Sequence, residues 1–249
     1  MITSVQNAKV KHWNKLKKRK EREASQQFFI EGHHLVQEAF QSDWHVQEVI
    51  LEEGTDRPDW LHSSATITYV SDNVFKSITD TRTPQGIAAI VGMQKPTWVD
   101  FKKILLIDAI QDPGNLGTII RTADAAGFEG VVLGEGTVDL YNDKVIRATQ
   151  GSIFHIAIFH NNLLDFVPTL KTEGYQVWAS TLEGAVPFHQ VAIPEKVALI
   201  LGNEGSGIEE SLVEYSSERV NIPIYGQAES LNVSVAAGVL IYYVANGSR

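Results

Sequence analysis

Val220-Asn221-Ile222-Pro223-Ile224-Tyr225-Gly226-Gln227-Ala228-Glu229-Ser230-Leu231-Asn232-Val233-Ser234-Val235-Ala236-Ala237-Gly238 decides how the C-terminal half is read. A short apolar strand ends at a proline, a glycine-containing loop follows, and a helix opens on Ser-Leu-Asn. Ser and Asn favour helix starts because their side chains accept hydrogen bonds from unpaired backbone N–H groups. With Ser230 as the cap, Asn232 lies past it, where it only costs helix propensity. The polar pair is then either a cap with a passenger or part of a site.

Outward from this stretch, strand-like apolar runs fall at 104–109, 130–133, 154–158, 176–179, 197–201 and 219–224. Helical stretches at 115–126, 142–150, 163–172, 207–216 and 230–246 lie between most of them. This alternation predicts an α/β fold, a Rossmann-like and mostly parallel sheet with helices on both faces. Ligands in such sheets bind at the carboxyl ends of the strands, where the loops after 104–109, 197–201 and 219–224 emerge. Residues 1–95 form a smaller α/β unit, with a helix over 1–23 and strands near 28–30, 46–51, 67–70 and 86–91. Residues 96–103, with Pro96 and Trp98 and no periodicity, are the linker to a domain over 104–249.

The 249-residue chain has no cysteine, which excludes disulfides, thiolate metal sites and a cysteine nucleophile, and suits a cytoplasmic setting. No apolar run reaches the roughly 18 residues of a membrane span. No His/Asp/Glu cluster has metal-site spacing, so no metal is expected. The net charge of −9 is uneven: residues 1–25 carry eight Lys or Arg against Glu21 and Glu23. A basic N-terminal segment on an acidic body implies a localised anion contact, RNA foremost, or else a solvated helical face. His33-His34 read as RNA-contacting or simply exposed.

Each loop has a bland and a chemical reading. In Asp112-Pro113-Gly114-Asn115, Asn115 caps the next helix and Arg121 follows on it. In Leu201-Gly202-Asn203-Glu204-Gly205-Ser206-Gly207 the glycines permit close backbone approach to a ligand. The loop lacks the Gly-Lys-Ser/Thr of a P-loop and the spacing of a dinucleotide fingerprint. Glu204 there would repel phosphate and favours a neutral or cationic ligand. Three loops at one sheet edge, each with a polar residue that capping does not require, point to a site.

These loops resemble the three motifs of the SpoU/TrmH family of RNA ribose 2'-O-methyltransferases, of the SPOUT class: Asn115-Leu116-Gly117-Thr118-Ile119-Ile120-Arg121, Leu201 to Gly207, and Ile222-Pro223 with Ser230 to Ser234. Ile224 departs from the methionine common in relatives, an apolar exchange of little consequence. Phe29 to Ala39 and Thr83-Pro84-Gln85-Gly86-Ile87 are similar to the ribosomal-protein-like RNA-binding domain that precedes the methyltransferase domain in many members.

The resemblance implies a deep trefoil knot in the C-terminal domain, a homodimer, S-adenosylmethionine as cofactor and ribosomal RNA as substrate, with 23S RNA foremost. It implies cofactor contacts at Thr181, Leu182, Leu201, Gly202, Asn203, Gly205, Ile222, Pro223, Ser230 and Leu231. Asn115, Arg121, Glu204, Ser230 and Asn232 are the catalytic candidates. Arg121 would clamp the target phosphate and stabilise the developing alkoxide, since arginine is a poor base. Asn115 would orient Arg121 or the ribose, and Glu204 would pair with Arg121 or accept a proton through water. Ser230 and Asn232 would bond the target nucleotide or Asn115. The alternatives are a tRNA 2'-O-methyltransferase, a base-nitrogen methyltransferase of the same class, an inactive ribosome-associated RNA-binding protein and a Rossmann oxidoreductase. Missing dinucleotide spacing disfavours the last.

Overall fold

The computed structural model describes residues 1–247, and the chain divides into two compact units. The first comprises Met1–Gln94 together with Asp139–Phe154. Its elements are α1 (Ala8–Lys15), α2 (Arg19–Ser25), β1 (Gln27–Glu31), α3 (His33–Gln41), β2 (Val46–Glu52), β3 (Ile67–Val70), α4 (Asp72–Ile78) and β4 (Ile87–Gly92). The sheet order is β1-β4-β2-β3. β4 pairs antiparallel with both neighbours, and β2 pairs parallel with β3. Val10, Trp13 and Leu16 pack with Val74, Phe75 and Ile78 over Ile50, Ala88 and Ile90.

The single helix expected over 1–23 is two. Asn7 caps α1 through its side chain, which accepts from the Lys9 N–H, and Lys18 is extended between the helices. The break lets Leu16 stay buried while Arg22, 6% exposed, donates from Nη1 to the Leu16 carbonyl at 2.7 Å.

The second unit, Lys95–Val138 with His155–Arg249, contains β5 (Lys103–Ile107), α5 (Pro113–Ala125), β6 (Gly130–Leu133), β7 (Ala157–His160), α7 (Leu163–Thr172), β8 (Gln176–Ser180), β9 (Val186–Pro187), β10 (Val197–Leu201), α8 (Glu210–Tyr215), β11 (Glu218–Asn221) and α9 (Val233–Asn246). Its seven strands run parallel in the order β7-β6-β5-β10-β8-β11-β9. On one face Ile104, Leu106, Val177, Ala198 and Ile200 pack with Leu163, Val167 and Leu170 of α7 and Leu212 of α8. α5 and α9 pack against each other, and α9 lies on β10. With both faces covered, the central strands are apolar throughout rather than alternating: every residue of β10 is buried.

The missing helix, α6 (Asp143–Thr149), belongs to the first unit. Residues 139–154 lie within the domain expected over 104–249 and cluster with the first unit. Ring contacts explain this: Phe28 stacks on Phe154 and meets Tyr141, and Arg22 Nη2 pairs with Asp139. The strand expected over 219–224 stops at Asn221, because Pro223 has no N–H to give a ladder.

Candidate active site

In this parallel sheet the carboxyl ends of β5, β10, β8 and β11 lie side by side. They release four loops at one edge, one more than the motifs require. Loops from β8, β10 and β11 line a pocket of about 610 Å³. Thr181, Leu182, Leu201, Gly202, Asn203, Gly205, Ile222, Ser230 and Leu231 all line it, and Pro223 does not.

The glycine-rich loop folds back on itself. Asn203 and Gly207 exchange backbone hydrogen bonds of 2.9 and 3.0 Å. The Asn203 side chain accepts from the N–H groups of Gly205 and Ser206 and donates to the Ala109 carbonyl at 2.7 Å. A Cβ on Gly202 would lie 2.4 Å from the Gly207 carbonyl carbon and the Ile208 nitrogen. Gly202 is therefore required by the loop's own return, before any ligand is considered.

Asn115 does not cap α5. Asp112 does, its Oδ1 accepting from the Asn115 N–H at 2.8 Å, which frees the Asn115 amide for the site. Asn115 Nδ2 donates to Glu204 Oε1 at 3.0 Å, and Asn115 Oδ1 accepts from Asn232 Nδ2 at 3.1 Å. Asn232 is not a passenger past the cap: it is the N-cap of α9, with Oδ1 accepting from the N–H groups of Ser234 and Val235.

The chemistry fixes the orientation of this chain. An ionised carboxylate only accepts, so Asn115 must turn its NH2 to Glu204 and its oxygen to Asn232. Asn232 then turns its own oxygen to the helix. One residue from each motif is locked to the next.

Glu204 accepts in addition from the N–H groups of Gln111 and Asp112, at 3.2 and 3.1 Å. Partial burial works to raise its pKa, but the hydrogen bonds from Asn115 and the backbone outweigh this and hold the carboxyl below its ordinary value. Glu204 is thus a fixed anion and a poor proton acceptor. It has no hydrogen bond or ion pair to Arg121, contrary to the expected pairing. Arg121 is exposed and makes no such bond among the described residues. Six residues beyond Asn115 on α5, it lies about 120° around the helix and about 9 Å along it, so Asn115 does not orient it. Ser230 lines the pocket and is exposed, without a bond to Asn115.

The charged residues lining the pocket are Glu183, Glu204 and Glu229, with no cation among them. This environment suits a cationic or neutral ligand. Asn221 also lines it, and its buried Oδ1 has no hydrogen-bond partner among the described residues, an acceptor left unsatisfied. Motif reading missed Asn221, although its place at the carboxyl end of β11 is the signal that would find it.

Pocket, interlocked loops and sheet order define an α/β protein with a cation-tolerant ligand site at the carboxyl ends of its parallel strands. The family model of the SpoU rRNA Methylase family matches residues 102–242, and that of the MRM3-like substrate binding domain matches residues 7–89. The chain belongs to the SpoU rRNA methylase family and is an RNA methyltransferase dependent on S-adenosylmethionine. It is 46% identical to the 23S rRNA (guanosine(2553)-2'-O)-methyltransferase RlmP of Bacillus subtilis, over 98% of both chains. The AdoMet-bound rRNA methyltransferase from Sinorhizobium meliloti superposes with a TM-score of 0.89 at 30% identity, covering 98% of this chain and 97% of that one. An RNA 2'-O ribose methyltransferase crystal structure gives a TM-score of 0.85 at 30% identity over 99% and 98% of the two chains.

Proposed function

We propose that this chain methylates a ribose 2'-hydroxyl in 23S ribosomal RNA. The observation that carries the substrate is its near-full-length identity to a relative named for that reaction. When bound, S-adenosylmethionine would supply an electrophilic methyl: the C–O bond to the ribose would form as the S–CH3 bond breaks, leaving S-adenosylhomocysteine as a neutral thioether and releasing the hydroxyl proton to solvent. The pocket's carboxylates would favour the positive sulfonium, backbone groups around Gly202, Ile222 and Leu231 would hold the cofactor, and Thr181 and Leu182 would lie beside its adenosine. Asn221 Oδ1, buried and unpartnered among the described residues, would accept from a cofactor N–H group that reaches it.

The Glu204–Asn115–Asn232 chain positions the loops rather than moving protons. Ser230, exposed at the pocket, bonds the target nucleotide. Arg121, with its donors unspent, clamps the RNA phosphate next to the reacting ribose. In the first unit Lys9, Lys17, Arg19 and Arg22 are engaged with Glu48, Asp80, Glu23 and Asp139. Lys11, Lys15, Lys18 and Lys20 have no ion pair among the described residues, and these four hold the RNA.

The second unit carries the deep trefoil knot and pairs with a second copy. The knot is supported by the path of the chain after β11, whose loop meets the glycine-rich loop at the pocket before α9 packs on α5. The dimer is supported by Val235, Val239 and Tyr242, an exposed apolar stripe at helical spacing on α9. Among the described residues no helix is long and apolar enough to cross a membrane, and a ribosomal RNA substrate supports a cytoplasmic setting.

The test is methyl transfer from labelled S-adenosylmethionine to total RNA from a strain lacking the gene and from its parent. Alkali-resistant label entering 23S RNA from the deletion strain alone is the expected result. Label in tRNA overturns the substrate, and label on a base overturns the acceptor.

A further inference from the structure

We infer that Tyr225 is a stacking platform for a base of the RNA substrate, an inference that rests on the proposed RNA methylation. Tyr225 is 92% exposed. It has no hydrogen bond and no ring contact among the described residues. It lies in the Ile222–Asn232 loop, just before the bend at Gly226-Gln227: Ile222, Ile224, Glu229, Ser230 and Leu231 line the pocket, while residues 225–228 are exposed and do not line it. An aromatic ring left wholly in water beside a ligand pocket gives the fold nothing, since it buries no area.

Charge decides what it binds. The residues lining the pocket contribute Glu183, Glu204 and Glu229 and no Lys or Arg. A phosphate brought to this rim is repelled, so the rim cannot hold RNA through its backbone. A nucleobase is neutral, and every base presents a π-face to an aromatic ring. Single-stranded RNA is commonly held by splayed bases stacked on exposed aromatic side chains. With the target ribose at the pocket mouth, its own base or an adjacent one lies against Tyr225 while its phosphates turn outward toward cations elsewhere. Tyr225 is a substrate-positioning residue and takes no part in methyl transfer.

The experiment uses the full-length protein, a 23S rRNA transcript, and Tyr225→Ala and Tyr225→Phe variants. Tyr225→Ala is expected to weaken RNA binding, read by fluorescence anisotropy, and to raise KM for RNA about tenfold. Cofactor affinity and the salt dependence of RNA binding stay unchanged, because no phosphate contact is lost. Tyr225→Phe keeps the ring and behaves as wild type. RNA affinity equal to wild type in Tyr225→Ala overturns the inference. Equal loss in both variants also does, since that assigns the effect to the hydroxyl. A shift to monomer in sedimentation by Tyr225→Ala assigns the ring to self-association instead. If the wild type binds the transcript but transfers no methyl, the proposed reaction fails on its own, and the binding comparison still decides the stacking.

Discussion

Two sets of polar residues, carried by the motif loops and the helices they open, differ in whether their hydrogen bonds are spent. Glu204, Asn115 and Asn232 bond one another, the backbone of Gln111 and Asp112, and the first turn of α9. Arg121, Ser230 and Tyr225 are exposed and bond none of these. The first set holds three loops in register, and the second is available to substrate. Residue type does not separate the sets: asparagine and glutamate serve as readily in catalysis as in bracing. The accounting of donors and acceptors separates them.

The sharpest way to break the comparison is to remove one member of the exposed set and to disturb the loop that holds the bonded one. Arg121→Ala should lower kcat/KM for RNA by about 10² to 10³, leave the calorimetric Kd for S-adenosylmethionine unchanged and leave the melting temperature near wild type. Loss of cofactor affinity in this variant would place Arg121 with the braces. Gly202→Ala disturbs the loop that carries Glu204, a member of the other set. With a Cβ 2.4 Å from backbone atoms of Gly207 and Ile208, the loop must move. We expect about 2–4 kcal/mol of stability to be lost together with at least tenfold in cofactor affinity. Near-normal melting would show that the loop yields easily.

The sheet was legible because burial on both faces writes β5, β6 and β10 as continuous apolar runs, and the helix pattern between them fixes parallel connection. The site was legible as three loops at one edge. Its internal wiring was not. Asn232 reads as misplaced only with Ser230 as the cap; the helix starts three residues later, at Val233, and the asparagine oxygen occupies two of its N–H groups. Asn115 looked like a cap, but Asp112 reaches that N–H first. Capping residues are interchangeable by type, so local sequence does not choose among neighbours. The return of residues 139–154 to the first unit was hidden for another reason: it depends on Phe28, Tyr141 and Phe154 meeting across the chain, and no periodicity encodes such a meeting.

Glu204 sharpens the comparison through pH. Its pKa is held below the ordinary 4.5, so its folded-state contribution is complete above that value and is lost as pH falls through the depressed pKa. Glu204→Gln removes the charge and turns an NH2 toward N–H donors. It should cost about 1–3 kcal/mol at neutral pH and flatten the acid limb of the stability curve. An unchanged acid limb would mean that another carboxylate carries it.

The smallest effect tests the acceptor that neither set claims. Asn221 Oδ1 is buried without a partner, so in the free protein it costs stability, and a ligand N–H that reaches it recovers that cost. Asn221→Ala should therefore weaken S-adenosylmethionine binding by about fivefold, roughly 1 kcal/mol. The melting temperature of the free protein should hold or rise, because an unsatisfied group has been deleted. Titration calorimetry and thermal unfolding on one preparation read both signs at once. A fall in melting temperature with unchanged cofactor affinity would make Asn221 a brace like Asn203, and would leave the pocket's ligand contacts to backbone groups alone.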